Sequence, residues 1–337
     1  MSLMICGAEG EWALFNNTLS NIGADDKRRG SVLIQEGEQM FKAFPATTNC
    51  WAHTRFAGEG SHSTNSQPRD LIQIRDGNGD IMAALRDDAR GNDSAWGVNV
   101  RYANSSGGGI TTGTEDFPLQ DLEFQDWDIR VQITTVTDPD DTMTVSFYRN
   151  GQLRFTTTVT DATGWAHPEQ ILLRERNGQL NQNMDHTYYQ DVIVSDGVPT
   201  VGMELAVLIP SAVGNYSDFD KDYTNIDDNG YDASTAISTE AVNARESWVF
   251  STPTFDLGDK VIYAVVFDTV AQTDLAAIIS DFQPFLRISA TDYAGTNLGA
   301  NNITPDSYLT IYTQNPATSN PWQQSELTGL EAGILSV

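Results

Sequence analysis

Carboxylates that could cleave a sugar chain are concentrated in one run, Asp121–Asp128, which reads DLEFQDWD. Glycoside hydrolysis uses a pair of Asp or Glu residues that face the same sugar, and alternate positions of a strand can supply such a pair. Here Asp121 and Glu123 share one face, while Asp126 and Asp128 share the other. This spacing favours a solvated edge or turn over a catalytic pair, and Glu123 is the residue to test if the chain degrades polysaccharide.

A second acidic run, Asp218–Gly230, has the first spacings of a calcium loop. Asp218, Asp220 and Asp222 occupy positions one, three and five of such a loop. The sixth position is Tyr223, where the loop needs Gly, and the twelfth is Asn229, where it needs Glu. The run therefore predicts an acidic surface loop, with a calcium site as the open alternative.

Other common catalytic patterns are not found in the sequence. The four histidines lie in four different segments without zinc-ligand spacing, and they are His53, His62, His167 and His186. No G-x-S-x-G elbow for a nucleophilic serine occurs. The Gly-rich stretch SSGGGITTG lacks the following Lys-Ser/Thr of a phosphate-binding loop. We therefore predict no catalytic residue and no cofactor.

Aromatic side chains near predicted strand ends could stack on sugars. Trp96, Tyr102 and Trp165 have this position. Aromatic residues in strands are more often buried in the core than exposed to a ligand. Sugar stacking by these three residues is therefore the alternative to a core role.

The elements that must position such residues are β-strands. In the stretch Trp127–Val159, apolar residues alternate with polar ones in three successive segments, which is typical of half-buried strands. The turn Asp138–Asp141 separates the first two segments, and Asn150-Gly151 separates the last two. An Asn-Gly pair is the strongest short signal for a type I′ hairpin. We predict three consecutive antiparallel strands here.

Short strand-like runs bounded by turn residues continue to about Ser195, without helical periodicity between them. This spacing predicts an all-β sandwich or jelly roll. Asp196-Gly197 and Pro199 interrupt the pattern, so we place a domain boundary there, with domains at 1–197 and 203–337. Near the C-terminus, Asn320 as cap and Pro321 at the first position predict a short helix around 322–331, which Gly333 would end.

Composition limits the partners. The chain has 337 residues and a formal net charge of −27, from 46 acidic and 19 basic residues. This charge disfavours nucleic acid and anionic membranes as partners. The two cysteines, Cys6 and Cys50, give no disulfide framework. We expect no signal peptide and no transmembrane helix, hence synthesis in a cytoplasm.

The first part of the chain resembles the concanavalin A-like (laminin-G-like) jelly rolls. The resemblance is carried by a strand-opening Trp, a Tyr-x-Asn-Gly hairpin and a closing YYxDVxV strand, over roughly residues 1–197. The matching residues are Trp127, Tyr148, Asn150, Gly151, Tyr188, Tyr189, Asp191, Val192 and Val194. Since that class of folds includes glucanases, the resemblance keeps the carboxylate run under consideration.

The second part resembles a recurring second domain of tailed-bacteriophage structural proteins. The similar stretches are LIPSAVGNYSDF, YTNIDDNGYDASTAIST, VIYAVVFDTVAQTD and TQNPATSNPWQQSELTGLEAG. The resemblance implies two domains, a concanavalin A-like jelly roll followed by a smaller β-sandwich with a short C-terminal helix.

The resemblance also implies a function. We expect a non-enzymatic virion structural protein of the tail tip or fibre, assembled in the host cytoplasm, with host-surface glycan as a candidate partner. Its other partners would be virion proteins and further copies of itself, without nucleic acid or membrane insertion. Capsid decoration is one alternative. A polysaccharide-degrading enzyme on the same fold is the alternative from another class.

Overall fold

The computed structural model describes most of the chain, in fifteen segments. They are residues 2–7, 18–20, 31–34, 39–59, 69–88, 96–105, 109–119, 123–134, 141–161, 164–174, 186–226, 235–252, 260–273, 281–299 and 306–337. The contacts divide the described residues into two compact units, which are separated along the chain between Leu205 and Ala206. The domain bounds of 1–197 and 203–337 stay predictions from the sequence.

The first unit is an all-β jelly-roll sandwich, as the sequence predicts. Its strands are β1 (Ser2–Gly7), β2 (Thr18–Ser20), β3 (Ser31–Ile34), β4 (Gln39–Ala43), β5 (Asn49–Glu59), β6 (Asp70–Asp76), β7 (Ile81–Asp88), β8 (Trp96–Ala103), β9 (Ile110–Leu119), β10 (Gln125–Thr134), β11 (Asp141–Arg149), β12 (Gln152–Asp161), β13 (Pro168–Arg174) and β14 (His186–Asp196). An eight-stranded sheet has the order β12-β11-β10-β5-β14-β3-β2, with β1 also paired to β14. A six-stranded sheet has the order β4-β13-β6-β7-β8-β9.

The core of this unit is formed by the apolar sides of the two sheets. Trp127 and Phe147 from the eight-stranded sheet belong to the same buried cluster as Ile74 and Ile171 from the six-stranded sheet. Successive side chains of a strand point to opposite faces. Each sheet therefore has an inner face, whose side chains belong to this cluster, and an outer face, which carries the alternate residues of each strand.

The hairpin predicted from Asn150-Gly151 is confirmed. Strands β10, β11 and β12 follow one another as antiparallel neighbours. Asn150 has φ 49° and Gly151 has φ 77°. Both values lie in the left-handed region that a type I′ turn requires.

Replacing Gly151 by valine should lower the free energy of unfolding by about 1–3 kcal/mol. The nearest heavy atom to an added Cβ is Val201 Cγ1 at 3.9 Å, so the loss would come from the positive φ and not from a clash. Thermal or chemical unfolding measures the effect. Gly151→Asn is the matched control, because asparagine tolerates the left-handed region. A valine variant as stable as the wild type would contradict the turn assignment.

The second unit is also built from antiparallel strands. They are β15 (Pro210–Ser217), β16 (Arg245–Phe250), β17 (Val265–Ala271), β18 (Asp281–Ile288), β19 (Thr291–Ala294), β20 (Leu298–Gly299), β21 (Asp306–Tyr312) and β22 (Glu331–Ser336). One sheet has the order β15-β16-β22-β18-β19, with β20 on β18, and β17 pairs with β21. Trp248, Phe267, Leu286 and Trp322 lie in its buried cluster.

The C-terminal helix is a single 3-10 turn, Gln324–Leu327, and it differs in detail from the expectation. Its cap is Gln323, whose backbone N–H donates to the carboxylate of Glu326 over 2.7 Å, so Asn320 is not the cap. Gly333 lies inside β22 and does not end a helix. A side chain at Gly333 would overlap the backbone of Glu246, so close strand packing explains this glycine. None of the helices in the described segments has the length and hydrophobicity to span a bilayer.

Candidate functional site

The outer face of the six-stranded sheet carries polar side chains in the middle of an otherwise apolar sandwich. Ile72 and Ile74 of β6 belong to the core, so Gln73 and Arg75 point away from it. The same alternation turns Arg101 of β8 and Arg174 of β13 to the outer face. Four residues with long, planar donor groups thus share one surface.

One row crosses this face from strand to strand. The register pairs Phe41 with Leu172, Leu172 with Gln73, Gln73 with Ala84, and Ala84 with Arg101. Gln73, Ala84 and Leu172 are buried, whereas Phe41 at the end of the row is 48% exposed. Neighbouring strands are about 4.8 Å apart, so the Cα atoms of Gln73 and Arg101, which are two strands apart, are separated by about 10 Å. The short side chain of Ala84 lies between them.

Hydrogen bonds hold the donors in place. Arg75 Nε donates to Gln73 Oε1 over 2.6 Å, and Arg101 Nη1 donates to Asp70 Oδ1 over 2.7 Å. Arg174 donates from Nε and Nη2 to Gln39 Oε1 over 2.8 and 2.7 Å. We call the following six residues the donor face: Gln39, Asp70, Gln73, Arg75, Arg101 and Arg174.

The donor face suits recognition of a polar or anionic chain. Three guanidinium groups and one carboxylate give it a formal charge of +2, in a chain whose net charge is −27. Guanidinium and amide groups bind hydroxyl, carboxylate and sulfate oxygens in directional pairs of hydrogen bonds. Among the described residues on this side of the sheet there is no His, Tyr or Lys. These residues therefore supply binding groups, and they assign no general base.

A second polar cluster lies on the outer face of the eight-stranded sheet. His53 of β5 and Asp128 of β10 face each other across the two strands. His53 Nδ1 lies 2.9 Å from Asp128 Oδ1, and the hydroxyl of Thr200 donates to the same oxygen over 2.8 Å. All three residues are buried.

The His53 cluster resembles the base and orienting carboxylate of nucleophilic enzymes, but a substrate cannot reach it. His53 is 1% exposed, and its Nε2 has no hydrogen-bond partner among the described residues. Burial by itself lowers the pKa of His53. The hydrogen bond to Asp128 and the negative charges of Asp128, Asp191 and Asp126 outweigh burial, so the pKa is raised above its ordinary value of 6.5. The cluster is a buried ion pair that ties β5 to β10.

This raised pKa predicts that the free energy of unfolding falls as the pH rises. A histidine whose pKa is higher in the folded state makes its full contribution to the stability of the fold at pH values below its unfolded pKa of 6.5. Its contribution is lost as the pH rises through the folded value. Chemical unfolding between pH 5.5 and 9 should show this loss in the wild type.

His53→Gln is the control for this pH dependence. The quantity to follow is the free energy of unfolding of the wild type minus that of the variant at each pH. Burial also raises the pKa of Glu246, and that group lowers stability as it ionises from about its usual value of 4.5 upward. The difference between the two proteins removes this contribution. A difference that does not change with pH would contradict the raised pKa of His53.

The carboxylates of the run Asp121–Asp128 do not form an accessible site among the described residues. Glu123 is exposed and lies ahead of β10, and Asp121 lies outside the described residues. Asp126 and Asp128 lie within β10, and Asp128 is fully buried against His53. The expectation of a solvated edge or turn is therefore wrong for Asp128, because the hydrogen bonds of His53 and Thr200 make its burial possible.

The candidate stacking residues have different surroundings. Trp165 is 8% exposed and belongs to the core of the first unit. Tyr102 is half-buried and stacks on Phe155, with ring centroids 5.7 Å apart, against the same core. The side chain of Trp96 lies outside the described residues. Tyr102 and Trp165 thus have the positions expected for a core role, and sugar stacking by the three residues stays a prediction.

The carboxylates of the Asp218 loop are used by their own chain. Asp218 accepts from the backbone of Arg245, Asp220 accepts from Ser238, and Asp222 accepts from Thr224. In the described part of the chain, no group of three or more His, Cys, Asp or Glu side chains could hold a metal ion. Asn229, the twelfth position, lies outside that part. The described carboxylates act as turn and cap acceptors, and a calcium site stays the untested alternative to the acidic surface loop.

The sequence interpretation missed the donor face, although a signal was present. In β6, Gln73 and Arg75 alternate with the core residues Ile72 and Ile74, which places both on one side of a strand. The pattern shows that this side carries polar groups. It does not show which strands are neighbours, so the meeting of β6 with Arg174 and Arg101 was not foreseen.

Comparisons with known proteins agree with the all-β jelly-roll class. No family model matches the chain, and no curated protein matches it. Among solved structures, the chain is similar to alginate lyase Aly36B, with 9% identity, a TM-score of 0.38, and coverage of 57% of this chain and 97% of that one. It is also similar to the alginate lyase from Alteromonas sp. 272, with 9% identity, a TM-score of 0.29, and coverage of 52% and 82%.

A third similar structure is that of botulinum neurotoxin type C, whose cell entry depends on interaction with two ganglioside molecules. It has 10% identity, a TM-score of 0.36, and coverage of 99% of this chain and 93% of that chain. Identities and scores of this size concern the fold and assign no activity to this chain.

The expected function, a non-enzymatic virion structural protein of the tail tip or fibre, is corrected by these findings. The similar structures reported above are alginate lyases and a toxin whose cell entry depends on gangliosides, and none of these is a phage structural protein. The resemblance to phage proteins, the virion location and the multimeric state stay predictions from the sequence.

Proposed function

We propose that the protein degrades a polysaccharide and that this polysaccharide binds along the donor face of the first unit. The observation that carries this proposal is the row that crosses the six-stranded sheet. It combines the exposed ring of Phe41 at one end with the partly exposed guanidinium of Arg101 at the other. Aromatic rings cover the apolar faces of sugars, while planar donor groups bind their hydroxyls.

The geometry supports binding of an extended chain. The row spans β4 to β8, so several sugar units can lie across it at a strand spacing of about 4.8 Å. The guanidinium of Arg101 is fixed by Asp70, and those of Arg75 and Arg174 are fixed by Gln73 and Gln39. Donors that are held in place before binding lose little freedom when the sugar arrives, and they can position the bond to be cleaved.

Cleavage is tested with the full chain and a panel of neutral and acidic polysaccharides. Reducing ends report cleavage by any route, and absorbance near 235 nm reports the unsaturated uronate ends that elimination produces. We expect new ends from at least one member of the panel. No product from any of them would overturn the proposal.

Phe41→Ala is the variant that connects cleavage to the donor face. Phe41 is 48% exposed, so its removal should cost little stability while it raises the KM for the polysaccharide several-fold. Leu153→Ala is the matched control, because Leu153 is 52% exposed but lies on β12 of the other sheet. Equal KM values for the Phe41 variant and the wild type would show that the polysaccharide does not bind along this face of the sheet.

A further inference from the structure

Arg75 and Arg174 differ from the other arginines whose ion pairs the structure describes. Arg101 faces Asp70, and Arg245 and Arg287 face Asp292. Arg75 and Arg174 donate instead to the uncharged side chains of Gln73 and Gln39. Among the described residues, no carboxylate comes within ion-pair distance of either guanidinium. Within the part of the chain that the structure describes, both positive charges therefore lack a bound counter-charge.

The two arginines also act on each other. They lie on the neighbouring strands β6 and β13, where Arg75 is opposite Gln170 and the Gln73–Leu172 pair lies between Arg75 and Arg174 along the strands. Burial and then the positive charge of Arg174 lower the pKa of Arg75, while Asp70 acts in the opposite direction. The carboxylate of Asp70 is already bound by Arg101. Two half-buried like charges repel, and an anion between them would remove that repulsion.

The donors that remain point to the kind of ligand. Arg75 uses only Nε for Gln73, and Arg174 uses Nε and Nη2 for Gln39. Both Nη groups of Arg75 and one Nη group of Arg174 stay available within the described residues. Guanidinium groups form paired, charge-assisted hydrogen bonds with carboxylate and sulfate oxygens.

We propose that Arg75 and Arg174 form a subsite for the carboxylate or sulfate group of an acidic polysaccharide. This rests on the proposed function and specifies its substrate class as acidic. The net charge of −27 opposes the binding of an acidic polysaccharide, so binding depends on a local positive charge. The pair of guanidinium groups supplies a local positive charge where the substrate lies.

The subsite is tested by titration calorimetry of the full chain at low salt. Three oligosaccharides of equal length are the probes: one of uronates, one sulfated and one neutral. The Arg75→Gln, Arg174→Gln double variant should bind the preferred acidic probe at least tenfold more weakly than the wild type. Added salt should reduce the difference in affinity between the wild type and the Gln double variant, because ions in solution screen the partly exposed pairs of guanidinium and anion. If the uronate probe binds more tightly than the sulfated one, the subsite takes a carboxylate. If the sulfated probe binds more tightly, the subsite takes a sulfate.

Two further variants separate charge from folding. Arg154→Gln makes the same charge change on the exposed strand β12 and should leave binding unchanged. The Arg75→Lys, Arg174→Lys double variant keeps the charges and should restore part of the affinity. Unfolding curves for all variants show whether each one is folded during the titration.

The outcomes distinguish the subsite from the proposed function. Cleavage of neutral polysaccharides alone would overturn the subsite and leave the function standing. Equal affinity of the wild type and the Gln double variant for the acidic probes would also overturn the subsite and leave the proposed function standing. Arginine-dependent binding of an acidic probe without cleavage of any polysaccharide would support the subsite and overturn the proposed function.

Discussion

Replacing Asp128 by alanine is expected to lower the free energy of unfolding by about 3–5 kcal/mol. Asp128 is fully buried, and one of its oxygens accepts from both His53 and Thr200. Its removal leaves a buried imidazole and a buried hydroxyl without their acceptor. The loss of one partner of a buried ion pair costs more than the pair contributes, because the remaining group stays desolvated. Denaturant unfolding at pH 6 measures the effect.

Two variants control this prediction. Asp126→Ala removes a carboxylate from the same face of β10, but the side chain of Asp126 is 43% exposed, so we expect a loss below about 1 kcal/mol. Asp128→Asn keeps the shape and an acceptor oxygen while it removes the charge. It should cost less than alanine and should weaken the pH dependence assigned to His53. Equal stability of the Asp126 and Asp128 alanine variants would show that the buried pair has no special role.

Replacing Trp127 by alanine should also destabilise the first unit by about 3–5 kcal/mol. The ring is completely buried, it stacks on Phe56 with centroids 6.5 Å apart, and it meets Phe117 edge-on at 5.4 Å. The guanidinium of Arg149 lies 5.9 Å from the ring centroid. Alanine would leave a cavity that β-strands from two sheets cannot close without losing their register.

Trp127→Phe is the matched control, because it keeps an aromatic ring in the same place and should retain part of the stability. Leu153→Ala, an exposed residue on β12, should change the free energy of unfolding little. Denaturant midpoints for the three variants can be compared directly if the slopes agree. A midpoint for Trp127→Ala close to that of Leu153→Ala would contradict the central packing role of this ring.

The sequence predicts those parts of the fold that depend on local patterns. The strands β10 to β12 alternate with a period of two, and Asn150-Gly151 has a backbone preference that few other residue pairs share. Both signals lie within about thirty residues, so no knowledge of distant neighbours is needed. The all-β class follows from the same kind of signal, repeated along the chain.

The candidate site could not be predicted because its residues meet through long-range strand pairing. Gln39, Gln73 and Arg174 are far apart in sequence and become neighbours only in the order β4-β13-β6. Asp128 illustrates the same limit, since nothing near it in the sequence shows that His53 and Thr200 would satisfy it in the core. The C-terminal helix was expected to be longer because Asn320 and Pro321 favour a helix start. The pairing of β22 with β16 and β18 takes the chain from Glu331 onward into a strand instead.

The contact between Thr200 and Asp128 determines where the first unit can be cut for expression on its own. Thr200 lies after β14, beyond the boundary at 197 that the sequence favours, yet it is fully buried in the first unit. A recombinant fragment that stops at residue 197 would lack this hydroxyl and would open the His53 cluster to water. A fragment that ends at Leu205 keeps the segment that covers this cluster, and is the piece to produce for crystallisation and for glycan assays.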